Sequence, residues 1–241
     1  VAIKAIPVPR AVAALLAFVA GVVDACTVFA LFGLFVAQVT GSFVLIGVQI
    51  VNADIVNVIR TLAIPVFFLG GFATVFVAEF AGDSRRALCR TLFAEFVLVA
   101  SFVLVGLIAP HFDHPNAPWA LVASVLGVTA MGVQSALVRL LMRGVGSTNV
   151  MTTNTTLASI ELAQWVIAAY RLRKHPADGA ALELKKQAKA RFAGLWPVLA
   201  GFLAGACCGA IGFQIAGFWF LLSAVAILAG LLVWAVRHKP V

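Results

Sequence analysis

Between Ala11 and Ala53 the only charged side chain is Asp24, and between Phe192 and Val236 there is none. Runs of that length with so little charge are what a bilayer demands of a chain. A helix needs about 20 predominantly apolar residues to cross the hydrocarbon core. Eight segments approach that length: 11–32, 34–52, 61–82, 91–109, 119–138, 149–170, 193–213 and 216–236. Charged residues make up 11% of the chain, where a soluble domain carries about 25%. With 63% hydrophobic residues and a mean hydropathy of +1.09, the 241 residues are expected to form one integral membrane domain over 1–241.

The basic residues decide which segments cross. If all eight cross from a cytoplasmic N-terminus, twelve of the seventeen Lys and Arg lie inside and five outside. If 34–52 and 149–170 instead enter and return on the same side, sixteen lie inside and only Arg60 lies outside. Cytoplasmic connections carry the excess of Lys and Arg in membrane proteins, so the second arrangement is preferred. It places both termini in the cytoplasm and the connection bearing His111, Asp113 and His114 outside. The same two segments are the most polar. The first holds Gln38, Thr40, Gly41, Ser42 and Gln49. The second runs from Asn149 through Thr152, Thr153, Asn154, Thr155 and Thr156 to Glu161. Irregular backbone at membrane depth survives only where protein or a water-filled cavity covers it. The expected fold is therefore all-α: a polytopic transmembrane helical bundle of six spans plus two re-entrant or broken segments.

A weak internal repeat fits that arrangement. Gly21-Val22-Val23-Asp24-Ala25 matches Gly132-Val133-Gln134-Ser135-Ala136, and Val39-Thr40-Gly41 matches Met151-Thr152-Thr153. Halves of about 10–110 and 118–237, each with three crossings, would be inverted relative to one another. Transporters with such repeats place their sites near the midplane, where discontinuous helices meet.

Asp24 is the sharpest single feature. An Asp at the centre of a membrane helix costs about 2.5–3.5 kcal/mol on insertion, and such residues mark ion paths or substrate sites. No Lys or Arg lies deep in another span to pair with it. A carboxyl there can hold a proton, coordinate a cation or join two helices by hydrogen bonds. The expected substrate- or ion-binding set is Asp24, Gln38, Thr40, Gly41, Ser42, Gln134, Thr152, Thr153 and Asn154. Hydroxyls and freed carbonyls at a broken helix suit a polar solute, while Gly41 permits unusual backbone. The plainer alternative for each Thr is hydrogen bonding between ordinary helices.

Other polar groups are read as structural. Glu79 and Glu95 flank Arg85, Arg86 and Arg90, where snorkelling ion pairs are expected. Glu161 is read as lining the cavity or sitting at the surface. Gly201, Gly205 and Gly209, spaced by four, suit close helix contact, inside the bundle or on the face of a homo-oligomer. The basic run from Arg171 to Arg191 serves as a topological anchor against anionic lipid.

Several chemistries find no support. All four histidines (His111, His114, His175 and His238) lie outside the spans, so a Ser-His or metal-based hydrolase lacks its base or ligands. Cys26, Cys89, Cys207 and Cys208 have neither metal-site nor disulfide spacing. No phosphate loop is present, and the net charge of +8 resides in connections rather than a nucleic-acid patch. The start, VAIKAIPVPR, has no apolar core before Arg10, so the first helix is expected to act as the insertion signal. No enzymatic activity, cofactor or metal is expected.

In Gly21-Val-Val-Asp24-Ala25, Val39-Thr40-Gly41-Ser42, Ala130-Met-Gly-Val-Gln134-Ser135-Ala136 and Thr148-Asn149-Val-Met-Thr152-Thr153 the chain resembles the YoaK-like bacterial membrane proteins. That family is catalogued as a domain of unknown function. Ser42, Ser135 and Thr153 stand where the family pattern has Asn, Asn and Gly. The resemblance covers about residues 10–236 and implies a bacterial inner-membrane protein of about six spans, without a substrate. The expected function is a small secondary transporter or channel for an ion or small polar solute. The alternative is a non-transporting assembly or partner-binding subunit.

Overall fold

The computed structural model describes residues 5–52, 58–109 and 112–237. Its helices are α1 (Arg10–Ala30), α2 (Thr40–Asn52), α3 (Val58–Glu79), α4 (Ser84–Ile108), α5 (Pro118–Leu141), α6 (Met151–Lys174), α7 (Gly179–Ala216) and α8 (Leu222–Arg237). A 3-10 turn, Gly217–Leu221, joins the last two. Two short strands, β1 (Ile6–Pro7) and β2 (Met142–Arg143), pair in parallel.

Five helical stretches among the described residues are long and apolar enough to cross a membrane: α1, α3, α4, α5 and the stretch Gly179–Arg237 that holds α7 and α8. The chain is thus an all-α, multi-helix membrane protein. Segment 34–52 is helical only over the thirteen residues of α2. At 1.5 Å per residue the described residues of α2 rise about 20 Å, against roughly 30 Å of hydrocarbon. The Thr- and Glu-bearing α6 is not among the span-like helices.

Side-chain contacts fix which helix ends lie together. The β1–β2 pair brings the start of α1 beside the end of α5. The Arg85 guanidinium donates to the Ala235 and Val236 carbonyls, so α4 starts where α8 finishes. We call this the near end. At the far end, Arg60 donates to the Phe32 carbonyl at 2.8 Å and the Val58 N–H to Asn116 at 3.0 Å. These bonds join the start of α3 to the chain just beyond α1 and to the turn before α5. Also at the far end, Phe102, Phe112 and Phe213 meet Phe218 edge-on, with ring centroids 5.5–5.8 Å apart.

Inside a bilayer, lipid is as apolar as leucine, so helices associate through close packing and small residues. Two helix pairs use glycine this way. On α1 and α7, Gly21 abuts the Phe202 carbonyl, and Gly205 abuts the Phe18 carbonyl. On α3 and α5, Gly132 abuts the Phe67 carbonyl, and Gly70 abuts that of Thr129. Gly201 and Gly209 extend the first seam along Ala14 and Val22. A Cβ at any of these glycines would strike backbone that has nowhere to move.

Two helices begin earlier than hydropathy suggests. Helix α4 starts at Ser84, where the Asp83 carboxylate accepts the Arg86 N–H at 2.8 Å, a standard N-cap. Arg85, Arg86 and Arg90 are therefore helical. Helix α7 starts at Gly179 under the same kind of cap, Asp178 accepting from Ala181 N–H at 2.9 Å, so part of the basic anchor is helix as well.

The expectation for Glu95 fails. It is fully buried, and neither carboxylate oxygen has a hydrogen-bond partner. Glu79 is exposed. The ion pairs among the described residues are Arg86–Asp83 and Arg191–Glu161. Arg90 and Glu95 are five residues apart, about 140° around a helix at 3.6 residues per turn, so they cannot face each other as an i,i+4 pair does.

Candidate functional site

Two interruptions of helix lie inside the bundle, each held by a polar side chain of the helix before it. The first follows α1. Leu31 ends the helix, and Phe32 (φ 56) and Gly33 (φ 78) adopt left-handed backbone that turns the chain back along its own path. A Gly accepts that conformation freely; Phe32 is held there by the Arg60 bond to its carbonyl. Leu34, Val36 and Ala37 are then buried. Asp24 receives them: its Oδ1 accepts the Ala37 N–H at 2.8 Å and its Oδ2 accepts the Gln38 amide at 3.0 Å. Helix α2 starts two residues later, with Thr40 exposed, Gly41 half-buried and Ser42 buried.

The second interruption follows α5. Past β2, Gly144 (φ 75) turns the chain, and residues 144–150 are non-helical until α6 begins at Met151. Gln134 is fully buried; its Nε2 donates to the Leu16 carbonyl at 2.8 Å and to the Thr148 hydroxyl at 2.9 Å. Thr148 donates onward to Asn149 Oδ1 at 2.6 Å, and Asn149 donates to the Met131 carbonyl at 3.1 Å. Asn154, buried in the first turn of α6, donates back to the Ser147 carbonyl. Thr152 and Thr153 are exposed.

The two junctions share one spacing, for the Asp24–Gln38 and Gln134–Thr148 bonds each span fourteen residues. The sequence match set Asp24 opposite Ser135; in the structure Gln134 does the equivalent work. Their turns lie toward opposite ends. The chain of the Asp24 junction turns at the far end, at Phe32 and Gly33 beside Arg60. The chain of the Gln134 junction turns at the near end, at Gly144 beside β2.

A cavity of about 510 Å³ lies against the second junction, lined by Arg139, Ser147, Thr153, Asn154, Glu161 and Arg191 among others. Glu161, left open between cavity and surface, lines it and pairs with Arg191 at 2.6 Å. Of the cavity's lining residues, Ser147 Oγ and Glu161 Oε2 are buried without partners, as is Oε1 of Gln134 in the junction behind them. Buried polar atoms of that kind are nearly always satisfied in proteins; here they stand behind the cavity wall rather than on it.

The expected site residues therefore fall into two groups rather than one. Asp24, Gln38, Gly41 and Ser42 belong to the first junction, with Thr40 at its exposed edge. Gln134, Asn154 and Thr153 belong to the second, with Thr152 outside it. Ser147, Thr148 and Asn149 were missed as site residues; their signal was the polar run directly before Met151, fourteen residues beyond a buried Gln. Among the described residues no three His, Cys, Asp or Glu side chains gather as a metal site would require.

A family model described as a protein of unknown function (DUF1275) matches residues 12–234. No curated protein matches the chain, and no solved structure does.

Proposed function

The chain belongs to the DUF1275 family, for which no function is described, and from that premise we propose that it is a small secondary transporter or channel for an ion or small polar solute. The observation that carries this reading is the pair of helix interruptions entering from opposite ends, each held by a buried polar group fourteen residues upstream. Discontinuous helices that meet near the midplane are where transporters bind their cargo. Non-helical backbone at membrane depth persists only where protein or a water-filled cavity covers it, and buried side chains cover both interruptions.

The glycine seams support an inverted repeat. Gly21 and Phe18 on α1 correspond to Gly132 and Thr129 on α5, each shifted by 111 residues, while Gly205 and Phe202 on α7 correspond to Gly70 and Phe67 on α3, each shifted by 135. Each half thus lends its third helix to the first helix of the other. In this reading α1, α3, α4, α5, α7 and α8 cross, and α2 and α6 do not. Both termini face the cytoplasm of a bacterial inner membrane, and the 510 Å³ cavity opens inward. The partners are lipid and the transported solute, with no nucleic acid, no cofactor and no enzymatic reaction; a homo-oligomer would form through faces other than the glycine seams, which are filled inside the bundle.

A second reading, a non-transporting assembly subunit, draws on Asp24 itself, because both its oxygens already accept bonds from the chain. Flux of protons, Na⁺ and K⁺ into dye-loaded proteoliposomes separates the two. Asp24→Asn should fold and lose most of the flux. A folded variant with undiminished flux makes Asp24 structural, and a wild-type protein without flux for any tested ion or small solute removes the transport reading. Reporter fusions after Asn52 and after Tyr170 should report outside and inside respectively; Asn52 inside would end the re-entrant reading.

A further inference from the structure

Glu95 is the one acidic side chain of α4, sits at the middle of that helix, is fully buried, and has no hydrogen-bond partner on either oxygen. Helix α4 packs against α3, α5, α8 and the 3-10 turn. The charged groups of those elements are Arg60 and Glu79 on α3, Arg139 on α5 and Arg237 on α8; all lie in terminal turns, and the 3-10 turn has none. On α4 itself, Arg85, Arg86 and Arg90 lie in the first two turns at the near end, engaged with Ala235, Asp83 and Phe80. No counter-ion reaches Glu95 among the described residues.

Register places Glu95 in depth. Phe102 of α4 lies against Gly127 of α5, where Val36 of the first interruption also packs. Seven residues are two helical turns, so Glu95 lies on the same face of α4 about 10 Å nearer the near end. Because α5 runs the opposite way, seven residues on from Gly127 is Gln134, at about the same depth as Glu95. Gln134 Oε1 is likewise buried without a partner. The carboxyl therefore lies at the depth of the second junction, whose Ser147 lines the near-end cavity.

A bare carboxylate in such surroundings is too costly to persist; it takes up a proton or a cation. A cation needs several oxygens around it, and Thr91, one turn before on the same face, commits its hydroxyl to the Ala87 and Leu88 carbonyls. A proton needs only the carboxyl. As helix glue the group would be bonded, and it is not.

We propose that Glu95 is an exchangeable proton site, loaded from the near-end cavity past Gln134 and Thr148, and that the proton is the coupling or transported ion. The second part rests on the transport reading; the first does not. The test uses the full chain in lipid nanodiscs, treated with dicyclohexylcarbodiimide, an apolar reagent that modifies protonated carboxyls, followed by peptide mass spectrometry. Glu95 should be labelled, with a rate that falls about tenfold per pH unit above its titration midpoint. Absence of a Glu95 adduct, or labelling that is the same from about pH 5 to about pH 9, overturns the proposal. In proteoliposomes with an internal pH dye and a potassium-valinomycin potential, Glu95→Gln should abolish proton flux. Undiminished flux in that variant overturns the coupling role and leaves transport standing. Titratable labelling in a wild-type protein that carries no flux leaves the proton site standing and removes transport.

Discussion

Replacing Asp24 by Ala tests whether the first interruption is held by that one side chain. The substitution removes both acceptors of the returning segment, Oδ1 for the Ala37 N–H and Oδ2 for the Gln38 amide. Ala37 is 2% exposed, so its N–H finds no water, and an unsatisfied buried donor costs about 1–3 kcal/mol. Gln38 is only half-buried and can turn elsewhere, adding about 0.6 kcal/mol, the usual worth of a polar contact between membrane helices. With the void left by the carboxyl, the total is about 2–4 kcal/mol. Asp24→Asn is the control. Its amide oxygen still accepts from Ala37, and its NH2 can donate to a flipped Gln38, so the loss should stay near 0.5–1 kcal/mol. Unfolding in mixed micelles gives the energies, and amide exchange over residues 34–39 gives the location. If Asp24→Ala unfolds within about 0.5 kcal/mol of wild type and the 34–39 amides exchange no faster, Asp24 does not hold the interruption.

Gly205→Leu and Gly70→Leu should each destabilise by at least about 1–3 kcal/mol, because the new side chains meet the Phe18 and Thr129 carbonyls and overpacking of rigid backbone has that cost. Gly230→Ala, with open space around it, should be neutral or stabilising by up to about 1 kcal/mol; equal damage at all three positions would remove the seam argument. The Arg191–Glu161 pair should show a coupling of about 1 kcal/mol or less in a double-mutant cycle, since the Arg side chain is 48% exposed and solvent screens it. A coupling above about 2 kcal/mol would mean the cavity is drier than its open mouth implies.

The span-length segments were legible because hydropathy integrates over twenty residues: α1, α3 and α5 begin and end within a few residues of those limits, and the 3-10 turn and α8 together fill 216–236. The interruption after α1 was not, because Leu31–Val39 is itself mostly apolar: a helix and a buried extended strand of such composition look alike until a partner is known. The usable signals were local: Phe32-Gly33 for the turn, and a Gln fourteen residues after Asp24. Glu95 was misjudged by linear distance from Arg90. Helical rotation, not proximity in sequence, decides what a side chain faces, and the true start of α4 at an Asp83 cap was hidden among arginines. The Thr-rich start of α6 was visible as polar, but which Thr faces the cavity depends on a helix start that composition alone does not fix.

The seam between α1 and α7 also governs how the chain is made. Cys26 and Gly209, which touch across it, are 183 residues apart. At bacterial-to-eukaryotic synthesis rates the interval between their appearances is roughly 10–40 s. Through that time α1 has no partner on the face that Gly21 presents, while Asp24 can already be satisfied locally by Ala37 and Gln38. The early bond thus shields an acid during a long wait in lipid, and the late seam closes the bundle. Two separately expressed halves, each carrying its own polar clasp, should therefore find each other in the membrane, with the glycine rows as the surfaces left to join.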